Sequence, residues 1–189
     1  QEAGVAVEKA IAGLLCSAII SDTLLFRSPT CTEIDRKAAM ELAGIAGIRL
    51  EEYAREMFTA GSNLEDKTDE EKFYQDFKRF TAGKVSFGVG QISSLNEQEL
   101  DSLKVRLLVY ITEAHKHQRG VDMMFFMLTN ILDESTMLIC EGIGAKKMIL
   151  GAFHIEDDGK DGRSSVVKLP GVVSRKKQLI PAIGMALQA

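Results

Sequence analysis

The chain has 189 residues, 46% hydrophobic and 26% charged, with a net charge of −4. That length holds one large domain or two small ones around a sizeable core. The acidic balance excludes a general nucleic-acid binder, which would carry a broad basic face.

Residues 4–20 place Val7, Ala10, Ile11, Leu14, Leu15, Ala18 and Ile19 at helical spacing. This helix is too apolar to stand alone and needs partners, some of them in a region N-terminal to this sequence. The run from Ala10 to Ile20 is too short to cross a membrane. There is no secretory signal, and a start at Gln1 rather than Met suggests the C-terminal piece of a longer protein. Asp22 follows, flanked by apolar residues. It is either a turn aspartate bonded to nearby backbone N–H groups or a carboxylate ligand for a hard cation.

Ser28 to Thr32 is a loop, and Thr32 with Asp35 reads as a capping pair for a helix over 33–46 that closes at Gly47. A third helix spans 50–60. The polar stretch 61–68 reads as a linker. The expected domains are therefore a helical segment over 1–61, a hinge over 62–68 and a second domain over 69–189.

The second domain opens on the helix-start signal at Thr68 to Glu71. Asp76 to Phe80 leads towards the first strand, where Lys78 reads as an edge-strand lysine with its charge in water. Residues 84–92 alternate as a strand with one smooth face at Ser86, Gly88 and Gly90, which is no nucleotide fingerprint. A long helix runs from Asn96 to about Gln118, and its His115 and His117 do not share a face for a metal. Two central strands are expected in 122–130 and 136–141, a helix over 142–153, a turn over 157–162 and a strand over 164–169. Cys16, Cys31 and Cys140 have no metal-ligand spacing and point to a reducing, cytoplasmic compartment.

The last strand delivers the chain to Ser174, Arg175, Lys176 and Lys177. Ser174 is an N-cap candidate. The helix either begins there and bends at Pro181, or begins near Ile180 with the cations in the loop before it. Both options put positive charge at the positive end of a helix dipole, which costs about 0.3–1 kcal/mol per exposed charge. An anion bound there would remove the conflict; the other reading is a solvated basic turn.

Two stretches, "LLCSAIISDTLLFRSPTCT" and "LPGVVSRKKQLIPAI", together resemble the C-terminal part of the family II, manganese-dependent inorganic pyrophosphatases, which are DHH-type phosphoesterases. The resemblance implies an α/β fold: a C-terminal mixed β-sheet domain flanked by helices, preceded by the closing helices of a catalytic lobe. It implies hydrolysis of pyrophosphate to two phosphates at divalent metals, Mn²⁺ or alternatively Co²⁺ or Mg²⁺, held between two lobes. By motif position Asp22 is similar to the family's last metal-ligating aspartate. Arg175, Lys176 and Ser174 in "SRKKQ", and Lys78 in "DFKRFTAG", are similar to its substrate-binding groups. No catalytic residue is expected in this stretch alone. The sequence contains neither His-x-Asp-x-Asp nor Asp-His-His, so most metal ligands are absent and the chain alone is expected to be inactive. The partners implied are pyrophosphate or phosphate and the N-terminal lobe of the same protein, with a homodimer as one assembly the family allows; nucleic acid and membrane are not implied. Two alternatives stand: another DHH-type phosphoesterase acting on nucleotides or oligonucleotides, and a non-enzymatic anion-binding module.

Overall fold

The computed structural model describes residues 6–61, 67–156 and 165–188. The chain divides into two compact units, residues 1–62 and 63–189. Most of the 62–68 linker and the whole 157–162 turn lie outside the described residues. No helix among those described is long and apolar enough to cross a membrane.

The first unit is helical: α1 Lys9–Thr23, α2 Glu33–Ala46 and α3 Leu50–Gly61. Its core is small, built on Cys16, Ile20, Ala39, Ala43 and Ala54. The alanines let the helices approach closely, and Ser17 Oγ meets Tyr53 Oη at 2.7 Å to tie α1 to α3. Thr32 and Asp35 form the expected capping box at the start of α2, and Gly47 closes it in the left-handed region at φ 68°. α1 lies further along the chain than its apolar pattern suggested. It leaves Ile11, Leu14 and Leu15 exposed and carries Asp22 in its last turn.

The second unit is an α/β layer structure on a mixed five-stranded sheet. Helix α4 (Asp69–Tyr74) leads into β1 (Lys78–Ala82) and β2 (Val85–Ser94); α5 (Glu97–His117) then precedes β3 (Met123–Asn130) and β4 (Ser135–Glu141). Helix α6 (Ala145–Ala152), β5 (Val166–Pro170), a π-helical turn (Arg175–Leu179) and α7 (Ile180–Ala186) complete it. The strands lie in chain order, β1 to β5. β2 and β3 are parallel, joined by the α5 crossover, and the other neighbours are antiparallel.

One sheet face packs against α4 and α5 through Phe73, Leu100, Leu103, Leu107, Ile111 and Phe126. The other packs against α6 and α7 through Phe87, Phe125, Met127, Leu138, Ile149 and Ile183. Burial on both faces explains why β3 reads as an unbroken apolar run. Each fully buried large side chain contributes about 1.5–3 kcal/mol.

The smooth face of β2 has a packing cause. A Cβ on Gly88 would sit 2.1 Å from the Phe77 ring, and one on Gly90 would sit 2.5 Å from the Phe126 ring. Asp76 to Phe80 does more than approach the sheet: from Lys78 it is already β1, paired with β2 from Lys78↔Val89 to Ala82↔Val85. Helix α6 is shorter than expected because Gly142 (φ 111°) and Gly144 (φ 76°) hold a left-handed loop before it. At the end of α5, His115 Nε2 meets the Val121 carbonyl at 2.9 Å.

Candidate anion-binding site

Helix structure begins at the cations, as a single π-helical turn capped by Ser174, whose Oγ accepts the Lys177 N–H at 3.2 Å. Pro181 falls in the first turn of α7, where its missing N–H does least harm. The wider π turn carries the chain from Ser174 to that proline: the N–H of Leu179 reaches the Ser174 carbonyl (3.2 Å), and that of Ile180 reaches the Arg175 carbonyl.

The last letter of "SRKKQ" closes the turn. Gln178 Oε1 accepts the N–H groups of Val173 and Ser174, each at 2.9 Å, and Nε2 donates to the Gly171 carbonyl at 2.6 Å. From beneath, Gln91 Nε2 donates to Val173 O (3.1 Å) and Thr129 Oγ1 (3.2 Å). Thr136 Oγ1 donates to Val172 O at 2.6 Å. Side chains of β2 and β4 therefore hold the loop before the cations in place, with Thr129 of β3 joined to both.

The three cations separate. Arg175 folds inward until its side chain is only 10% exposed. Its Nη1 donates to Asp76 O (2.5 Å) and Val89 O (3.2 Å), and its Nη2 to Asp76 Oδ1 (2.9 Å). Lys78 Nζ lies 3.7 Å from the same Asp76 oxygen while its side chain stays 62% exposed. Arg175 and Lys78, far apart in sequence, thus meet on one carboxylate. Lys176 and Lys177 remain in solvent at the helix start. Arg175 escapes the dipole conflict through Asp76, and the two lysines retain it.

Asp76 is the residue that sequence reasoning missed. It lies in the turn between α4 and β1, and nothing local in Asp76-Phe77-Lys78 announces an arginine 99 residues away.

Asp22 belongs to the other unit, exposed in the last turn of α1. Its backbone carbonyl accepts Thr30 Oγ1 at 2.9 Å. Its carboxylate has no hydrogen bond among the described residues, so neither oxygen is committed. Three successive residues after the helix adopt left-handed backbone: Leu24 (φ 49°), Leu25 (φ 50°) and Phe26 (φ 67°). Thr23 anchors this turn: its Oγ1 accepts the Phe26 N–H (3.2 Å) and its carbonyl accepts the Ser28 N–H (2.8 Å). Arg36 donates to Phe26 O at 3.0 Å and lies 5.1 Å over the Phe26 ring. An exposed oxygen donor at a helix C-terminus suits a hard cation. Among the described residues no three His, Cys, Asp or Glu side chains gather into a metal set, so Asp22 does not make a metal site with them.

Residues 55–186 match the DHHA2 domain family. A Clostridium acetobutylicum protein described as a probable manganese-dependent inorganic pyrophosphatase is 40% identical over 99% of this chain and 58% of its own length. The cobalt-dependent inorganic pyrophosphatase of Clostridium perfringens is 41% identical over 96% of this chain and 32% of its own length. Among solved structures, a Methanococcus jannaschii protein described as a family II inorganic pyrophosphatase superposes with a TM-score of 0.83 at 36% identity, covering 98% of this chain and 58% of that one. The chain thus spans little more than half, or less, of the relatives it resembles. With the match running from α3 through α7, this chain belongs to the DHHA2 domain family.

Proposed function

We propose that this chain is the substrate-gripping portion of a cytoplasmic inorganic pyrophosphatase, and that Arg175, Lys176 and Lys78 hold the phosphoryl oxygens. The observation that carries the reading is the meeting of Arg175 and Lys78 on one carboxylate oxygen beside the capped turn that presents Lys176. Such a cluster offers a planar fork and two point charges to an anion with oxygens on two phosphorus atoms. Ser174 shapes the turn through its cap and keeps its own hydroxyl proton for the anion. Asp22 contributes one carboxylate to the metal cluster. Manganese, with cobalt or magnesium as substitutes, would supply Lewis acidity and lower the pKa of the attacking water. The chain's own cations neutralise charge on the departing phosphate. The relatives described as manganese- or cobalt-dependent pyrophosphatases support this reading. The length by which they exceed this chain leaves room for the remaining ligands.

The test is a calorimetric titration of pyrophosphate into this chain without metal, beside an Arg175→Ala/Lys176→Ala double variant. Binding that the double variant loses is the expected result. Equal binding by both proteins, or preference for a nucleoside monophosphate over pyrophosphate, would reject the reading.

A further inference from the structure

We infer that Asp76 is a positioning residue for the anion grip: it clamps the Arg175 guanidinium and tethers Lys78 before any substrate arrives. The inference rests on the pyrophosphate reading and extends it to a residue with no contact to the reacting atoms.

Three features of the clamp carry the argument. Asp76 uses its backbone carbonyl and its carboxylate on the same guanidinium, through Nη1 and Nη2, and the Val89 carbonyl takes a third hydrogen bond. Of the five N–H donors of an arginine, the Nε–H and one Nη2–H then have no partner among the described residues. They are left to meet a phosphoryl group. The same carboxylate lies 3.7 Å from Lys78 Nζ, which limits the reach of that flexible ammonium to the neighbourhood of Arg175. Finally, Asp76 is itself held in place. Phe77 beside it packs where a Cβ on Gly88 would be, tilted against the Phe73 ring at 5.2 Å and edge-on to the Tyr74 ring at 5.5 Å. That packing fixes the backbone that carries Asp76, and the half-exposed carboxylate is held by its hydrogen bond to Arg175. Ordering a long cationic side chain is a cost of binding that a preformed clamp removes in advance.

The alternative makes the opposite prediction. If Asp76 were only a negative charge beside two cations, it would compete with pyrophosphate and its removal would tighten binding. In the clamp, Asp76→Ala weakens pyrophosphate binding to this 189-residue chain ~fivefold or more despite the gain in positive charge, and Asp76→Asn, which keeps an acceptor at Oδ1, stays within about twofold of wild type. Side-chain ¹⁵N NMR of the ligand-free chain supplies the second readout. Arg175 should show slowed guanidinium rotation in wild type and in Asp76→Asn, and free rotation in Asp76→Ala. Equal or tighter binding by Asp76→Ala, or a freely rotating Arg175 in wild type, overturns the inference. A wild-type chain with an immobile Arg175 that takes up no pyrophosphate overturns it by a different route: the functional reading fails and the clamp is only a fold contact. Melting curves of both variants establish that they fold.

Discussion

The end of α1 and the cationic turn hold their candidate functional groups by opposite means. Asp22 is left exposed, its carboxylate without a hydrogen bond among the described residues, beside a turn kept in place against its own backbone preference. Arg175 is drawn inward and satisfied on several sides before any ligand is present. A carboxylate ligand needs open oxygens and a backbone that fixes where they point, because the metal supplies the remaining order. A guanidinium that must meet a flexible polyanion needs its rotamers removed in advance. Left-handed backbone costs roughly 1–2 kcal/mol per non-glycine residue, and such strain collects where function over-determines a conformation.

The largest effects should come from separating the two devices. In the longer pyrophosphatase proposed above, Arg175→Ala and Lys176→Ala are each expected to lower pyrophosphate turnover at least tenfold at saturating metal. Asp22→Ala should instead raise the metal concentration needed for half-maximal rate at least tenfold, and leave metal-free pyrophosphate binding to the chain unchanged. A shared phenotype would mean that the two regions do not divide the work in this way.

A smaller effect falls on the support of the clamp. Gly88→Ala forces the Phe77 ring to move and should cost about 1–3 kcal/mol in urea unfolding of the second unit, with weaker pyrophosphate binding as a side effect. Around α1 the sign reverses. Leu24→Gly removes one left-handed leucine that takes no part in the α1–α3 core, and should raise the stability of that unit by about 1 kcal/mol. A loss on this substitution would show that the turn is not strained.

The smallest effect concerns acid. Hydrogen bonds from the Thr68 backbone and then its hydroxyl hold the Glu71 carboxyl below its ordinary 4.5. The Thr32 hydroxyl and then its backbone hold Asp35 below 3.8. Both groups have depressed values in the folded state, so their contribution is complete above the unfolded values and is lost as pH falls through the folded ones. Glu71→Gln and Asp35→Asn, which remove the titrating carboxyls, should therefore each lose less stability than the parent chain between neutrality and the acid limb. Parallel decline in all three proteins would count against the capping boxes as acid-labile elements.

Much of this was legible in the sequence because its causes are local. The Thr32–Asp35 box, Gly47, the Thr68 cap and the period of α5 are each written within a few residues. The apolar runs of β3 and β4 announce strands buried on both faces. What was not legible depends on distant partners. Nothing in Leu24-Leu25-Phe26 indicates left-handed backbone; the turn exists because Thr23 and Arg36 bond across it. Asp76 gains its meaning only when the last helix brings Arg175 to it. The π-helical turn is a compromise between the Ser174 cap and Pro181 that no propensity scale registers.

β1 is an outer strand of the sheet, and its free side would otherwise invite the strand of another molecule to pair with it. Lys78 and Arg79, both exposed at its start, make that edge inhospitable. The lysine proposed to grip phosphate therefore also guards solubility, and replacing it with an apolar residue would confound lost affinity with self-association. Lys78→Gln keeps the edge polar and isolates the charge.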